Sequence, residues 1–132
     1  GYSLHDIIII ASMFEKETTG EDQKTIASVI YNRLNSSNFD CIQIDATVQY
    51  ALDERKENLS LEDLEVDSPY NTYLYEGLPI GPIANPGMDA IDAALNPERT
   101  NYYYYALGTD GDHHFFRTYQ EHQAFVDALP DE

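Results

Sequence analysis

Basic residues are scarce in this sequence: 7 lysines and arginines stand against 24 aspartates and glutamates, a formal net charge of −17 over 132 residues. Binding to nucleic acid or to an anionic membrane needs clustered Lys and Arg, and so few scattered cations make no patch. The balance argues strongly against both partner classes. A single cysteine, Cys41, rules out an intrachain disulfide. It is expected to pack as a small apolar residue, and a nucleophilic role would need His113 or His114 beside it. The longest uninterrupted apolar run, Ile7 to Ala11, is far short of a membrane span. No secretory signal is visible. Gly1, standing where an initiator methionine would, fits a domain excised from a longer chain with its targeting segment left behind.

What is present suits one globular domain over residues 1–132, long enough to build a core without staples. From Leu4 to Thr18, Ile7, Ile10, Ala11 and Phe14 recur at helical spacing, predicting a helix that ends near Thr18 or Thr19. A second helix is expected from a Thr19 cap, with Ile26, Val29, Ile30 and Leu34 on one face. Cys41 to Ile44 reads as a short strand, and Asp45 as the cap of a short helix through Val48 and Leu52. Residues 53–60 form a polar connection, and Ser60 to Asp63 has the shape of a capping box. From Ser68 to Gly87 prolines and glycines are too dense for a helix. So long an irregular segment is usually functional or disordered, and Tyr70, Tyr73 and Tyr75 argue against disorder. A helix over Asp89 to Leu95 follows, then a hairpin of Tyr102–Ala106 with His113–Arg117, then a helix capped by Thr118. Helices first and a late hairpin mean α+β, the N-terminal helices packed with a small antiparallel sheet.

The candidate chemistry starts at Glu17, which a helical wheel places between Ile10 and Met13, at or inside the apolar stripe. Burial disfavours a charged carboxylate, so such a residue can hold a proton near neutral pH and donate it. Periodicity alone favours the plainer alternative of a helix-end acid with its tip in water. Gln43, Asp45, Thr47, Tyr70, Asn71, Tyr73 and Asn85 occupy turns and element ends, where sites are commonly built. Singly, each has a structural explanation; together they offer the amides, hydroxyls and rings of a sugar-binding surface. No metal pattern is found: His113 and His114 are adjacent and face opposite ways on a strand, and His122 lies on a helix. Gly-x-Ser-x-Gly and a phosphate loop are both missing, so neither metal nor cofactor is expected.

These residues fall into blocks. Ala11-Ser-Met-Phe-Glu-Lys-Glu-Thr18, Val29-Ile-Tyr-Asn-Arg-Leu34, Ile42-Gln-Ile-Asp-Ala-Thr-Val48, Tyr70-Asn-Thr-Tyr73, Gly77-Leu-Pro-Ile-Gly-Pro-Ile-Ala-Asn-Pro-Gly87 and Ala93-Ala-Leu-Asn-Pro97 occur in this order. Asp110 to Phe115 and Glu121-His122 follow. The chain thereby resembles, over nearly its whole length, the catalytic domain of YceG-like endolytic murein transglycosylases. Two blocks depart from the family: Gln43-Ile-Asp-Ala-Thr47 stands for Gln-Thr-Asp-Pro-Thr, and Leu78-Pro-Ile-Gly81 for Leu-Pro-Pro-Gly.

The resemblance implies that Glu17, and not Glu15, is the catalytic acid. It implies peptidoglycan glycan strands as substrate, with cell-wall synthesis complexes as candidate partners. A membrane helix and a small wall-binding-like domain belong to the family's N-terminal part, which would put the full-length protein at the outer face of the bacterial cytoplasmic membrane. The implied reaction cleaves the MurNAc–GlcNAc bond and leaves a 1,6-anhydro-muramyl end. Two other readings stand beside it: a hydrolase using Glu17 with Asp45, and a non-catalytic glycan-binding module.

Overall fold

The computed structural model describes residues 2–15, 22–52, 56 and 59–130. Ser3 starts the first helix, α1 (Leu4–Phe14), through a reciprocal capping box: Asp6 N–H donates to Ser3 Oγ at 3.1 Å and Ser3 N–H to the Asp6 carboxylate at 3.2 Å. Four consecutive isoleucines follow, residues that do not favour a helix intrinsically. Packing overrides propensity here. Ile9, Ile10, Ala11, Ser12, Met13 and Phe14 are all buried, so the second half of α1 is enclosed all round. The apolar stripe read from periodicity is thus too narrow. The expected helix end near Thr18 and the Thr19 cap lie outside the described residues.

Around α1 pack α2 (Gln23–Leu34), α3 (Asp45–Ala51) and α4 (Met88–Leu95). α2 turns Ile26, Val29 and Ile30 inward as expected. α4 presents Ala90, Ala93 and Ala94, small residues that let its backbone approach α1 closely. Its start is fixed by Glu15, whose carboxylate accepts the Gly87 N–H just ahead of the helix. Ser12 ties in the segment before α4, donating to the Ile9 carbonyl at 2.6 Å and accepting from Ile83 N–H at 3.0 Å. The Ser60–Asp63 box is present and opens a single 3-10 turn at Asp63–Glu65. Between Ser68 and Gly87 the chain forms turns and bends without a helix or strand.

Among the described residues the sheet is the hairpin alone. β1 (Tyr104–Leu107) pairs antiparallel with β2 (His113–Phe116), Tyr104 opposite Phe116 and Tyr105 opposite Phe115. Gly108 opens the turn because the space a Cβ would fill is taken: it would lie 2.7 Å from an Asp110 carboxylate oxygen and 2.8 Å from His114 Nε2. Alternation sends Tyr105 and Phe115 toward the helical core. Tyr104 and Phe116 turn the other way, onto α5 (Tyr119–Ala128), whose own Thr118–Glu121 capping box matches the sequence expectation. The architecture is α+β.

Two local expectations fail. Cys41 to Ile44 is not a strand, since Gln43 takes the left-handed region at φ 55° and no ladder can continue through it. Asp45 does not cap α3; Ile44 occupies that position without a side-chain bond, and Asp45 is the first helical residue.

Candidate active site

The site forms where three irregular stretches meet, and hydrogen bonds from buried side chains bring them together. Thr72 and Thr47 do the first stitching. Ile44 N–H donates to Thr72 Oγ1 at 2.8 Å, Gln43 N–H to the Thr72 carbonyl at 3.1 Å, and the two threonine hydroxyls share a bond of 2.9 Å. Asn71 holds the next turn, its amide donating to the carbonyls of Leu64 and Val66 at 2.9 and 2.8 Å and accepting from Tyr73 N–H at 2.8 Å. The result sets Tyr73 against Asp45, to whose carboxylate the phenol donates. Burial, and then that carboxylate, push the Tyr73 phenol well above its ordinary value, so it remains a donor at any working pH.

Arg33 supplies the floor. It lies on the buried side of α2 and is 7% exposed. Its Nε donates to the Tyr103 carbonyl at 2.7 Å, and Nη1 to the carbonyls of Ile42 at 2.6 Å and Gln43 at 3.4 Å. The rings of Phe39 and Tyr104 cover it at 5.3 and 5.4 Å. Among the described residues it has no carboxylate within 4.0 Å. Burial lowers its pKa, with the nearby tyrosines and Asp45 working against that, and at neutral pH it stays charged. One guanidinium therefore clamps the hairpin to the loop carrying Gln43 and Asp45.

Above it opens a cavity of about 340 Å³ lined by Arg33, Gln43, Asp45, Tyr73, Tyr104, Tyr105, Tyr119 and His122. Hydroxyls, an amide and a carboxylate beside aromatic walls suit a polar, hydroxyl-rich ligand. His122 is half-buried between Tyr104 and Phe116. Burial and the charge of Arg33 lower its pKa, while a hydrogen bond to the Tyr105 backbone pulls the other way.

Of the residues singled out from sequence, Gln43, Asp45 and Tyr73 converge on this cavity. Thr47 and Asn71 are 0% and 1% exposed, with their polar atoms bonded internally, so they frame the site without facing it. Tyr70 packs on Tyr50 with ring centroids 4.8 Å apart, and neither it nor the exposed Asn85 lines the cavity. Glu17 lies outside the described residues. Cys41 has its thiol pushed up by burial, Glu76 and Asp40, while His113 faces Asp22 and His114 faces Asp110; no thiolate pair is assembled there. Among the described residues no three His, Cys, Asp or Glu converge as metal ligands, and no helix is long and apolar enough to cross a membrane.

Arg33 was legible in principle. It falls at i+7 from Ile26 and i+3 from Ile30, a cation on the buried stripe of α2. Tyr104, Tyr105, Tyr119 and His122 carried no comparable signal, since their meeting depends on the hairpin folding back over α2.

Helices first, a late hairpin, and a carboxylate–tyrosine pair above a buried arginine define an α+β chain with a polar, aromatic-walled cleft. The chain belongs to the YceG-like family, which matches residues 1–128. It is 45% identical over 121 residues to an endolytic murein transglycosylase of Bacillus subtilis, covering 91% of this chain and 33% of that protein. An endolytic murein transglycosylase of Streptococcus pneumoniae is 35% identical over 131 residues, 94% of this chain and 23% of that protein. A crystal structure of a YceG-like protein from Listeria monocytogenes matches with a TM-score of 0.80 at 45% identity, over 91% of this chain and 38% of that one. The chain spans a third or less of the length of these curated relatives.

Proposed function

We propose that this chain is the catalytic domain of a longer endolytic murein lytic transglycosylase, with Glu17 as its one acid and base. The observation that carries the reading is family membership across residues 1–128, including the Glu15-Lys-Glu17-Thr18 block. The geometry adds a reason to prefer Glu17 within that block. Glu15 is already engaged, its carboxylate bonded to the Gly87 N–H at the start of α4.

In the proposed reaction, protonated Glu17 gives its proton to the glycosidic oxygen between MurNAc and GlcNAc as the bond to C1 breaks. The C6 hydroxyl of the same muramyl sugar attacks C1, and its proton passes to the Glu17 carboxylate. The acid is regenerated, a 1,6-anhydro end is formed and no water is consumed. A nucleophile within the substrate removes the need for a second catalytic carboxylate and gains from proximity. Asp45, held by the Tyr73 phenol, supplies negative charge that would offset the positive charge developing at C1. Gln43 and Tyr73 would hold the sugars, while Thr47 and Asn71 keep the two loops in register. Tyr70 and Asn85 would meet the strand farther from the cut. The full-length protein would work at the outer face of the cytoplasmic membrane, near cell-wall synthesis complexes.

Mass spectrometry of products from purified glycan strands tests this, with wild type beside Glu17→Gln. Anhydro-muramyl ends from wild type and none from the variant are expected. Products heavier by one water would indicate a hydrolase drawing on Asp45. Strand binding that Glu17→Gln leaves intact, with no turnover by wild type, would make the chain a binding module.

A further inference from the structure

A larger groove adjoins the cavity. It measures about 770 Å³ and shares Gln43, Tyr73, Tyr104 and Tyr119 with the cavity as common walls. Both volumes fall within the roughly 300–1,000 Å³ typical of ligand sites, and the shared walls make them one cleft. The groove runs between the loop around Phe39 and the start of α5, and aromatic rings stand along it. Arg117 lines this groove, exposed and without an ion pair or side-chain hydrogen bond among the described residues. Lys24 and Lys56 each meet an aspartate and Arg33 is spent on carbonyls, while Arg99, also exposed and without such a bond, lies in a different groove. Among the described basic residues Arg117 is the one that lines this groove with its charge uncompensated. Asp40 lines the same groove yet is not paired with Arg117.

We infer that this groove holds the strand beyond the cut and that Arg117 binds a carboxylate carried by the muramyl unit lying there. This rests on the transglycosylase reading and deepens it, from the site of cleavage to what the enzyme recognises on one side of it. Sugars lie on the tyrosine and phenylalanine faces, as polar rings with apolar faces do. A guanidinium with no internal partner then matches a carboxylate in a two-point bond. Two groups on murein offer that chemistry: the acidic residues of the stem peptide, and the lactyl carboxylate exposed when the stem is removed.

The test measures dissociation constants of murein tetrasaccharides for wild type, Arg117→Gln and Arg99→Gln. Arg99 lies in a separate groove beside Asn32 and Pro97 and serves as the control. Three ligands are used: stems with free carboxylates, stems with those carboxylates amidated, and sugars with the stems removed. Arg117→Gln should weaken binding about tenfold, the scale of one charge-assisted hydrogen bond, on a ligand with a free carboxylate. It should match wild type on the amidated one. Loss confined to the stem-bearing ligand assigns the peptide as the source, and loss confined to the stripped ligand assigns the lactyl group. Equal affinity of wild type and Arg117→Gln on every ligand, or the same loss in Arg99→Gln, overturns the inference. If wild type meanwhile leaves anhydro-muramyl ends, the proposed reaction survives that result; if it neither binds nor cleaves, both fall.

Discussion

The two halves of this molecule are held by different forces. Around α1 the helices are joined by apolar packing, with Ile10, Phe14, Ile26 and Ile30 all fully buried. Around the cleft, loops are joined by side chains that bond backbone carbonyls: Arg33 to Ile42 and Tyr103, Asn71 to Leu64 and Val66, Asn32 to Thr100 and Tyr102. α2 belongs to both halves. Its apolar face meets α1, while Thr25, Ser28, Asn32 and Arg33 form a polar row that grips residues 98–103. Packing tolerates any apolar residue of suitable volume. Carbonyl clamps tolerate almost no substitute, because the geometry is specific and a stranded carbonyl is costly. Stability should therefore be spread over the helical half, and site geometry concentrated in a few polar residues.

That contrast can be broken by substitution. Phe14→Ala empties space at the centre of the packed half and should cost about 3–5 kcal/mol in urea unfolding. Arg33→Met should cost about 2–4 kcal/mol, since carbonyls are left without donors. Unlike Phe14→Ala, it should also abolish turnover in the fraction that remains folded. Arg33→Lys keeps the charge but not the fork, and should recover little of either. Gln43→Gly should act in the opposite direction on stability. A non-glycine residue in the left-handed region costs about 1–2 kcal/mol, and glycine's extra chain entropy takes back about 0.5–1 kcal/mol. The variant should be stabilised by up to about 1.5 kcal/mol while binding glycan more weakly, which denaturation and binding measured together would check.

The smallest effect concerns pH. His122 titrates below its ordinary 6.5 in the folded chain. Above that pH both states are neutral; below it the unfolded chain takes up a proton that the folded chain refuses, so stability falls with acidification. Asp63 and Asp110 have their values lowered from 3.8, so their contribution is present above that value and is lost only as pH drops beneath it. Melting temperature measured from pH 7.5 to 5 should decline, and His122→Phe should decline less.

The start of α5 and the buried face of α2 were legible in the sequence, because the Thr118 cap and the period of α2 are local signals. The hairpin was legible too, from the tyrosine run and the Gly108–Gly111 turn. What escaped was set by contacts distant in sequence. Cys41 to Ile44 has strand-like composition, but Thr72, almost thirty residues on, and Arg33 take its backbone groups. Asp45 looks like a cap, yet the phenol of Tyr73 claims its carboxylate. Gln43, Asp45 and Tyr73 could be chosen because they sit at element ends. Arg33 could have been picked out as a cation on the buried stripe of α2, whereas His122 needed the folded hairpin before its part in the cleft could be seen.

The guanidinium of Arg33 also acts as a spacer. It is flat and rigid, and it touches the loop with one edge and the hairpin with another, so the separation of those two walls equals the width of one planar group. Neither wall can retreat without tearing a carbonyl from its donor. The remaining wall is α5, which contributes Tyr119 and His122 and has no buried residue of its own. α5 is thus the wall joined to the hairpin by ring contacts, Tyr119 and His122 on Tyr104 and Phe125 on Phe116, where the loop is joined to it by carbonyl bonds.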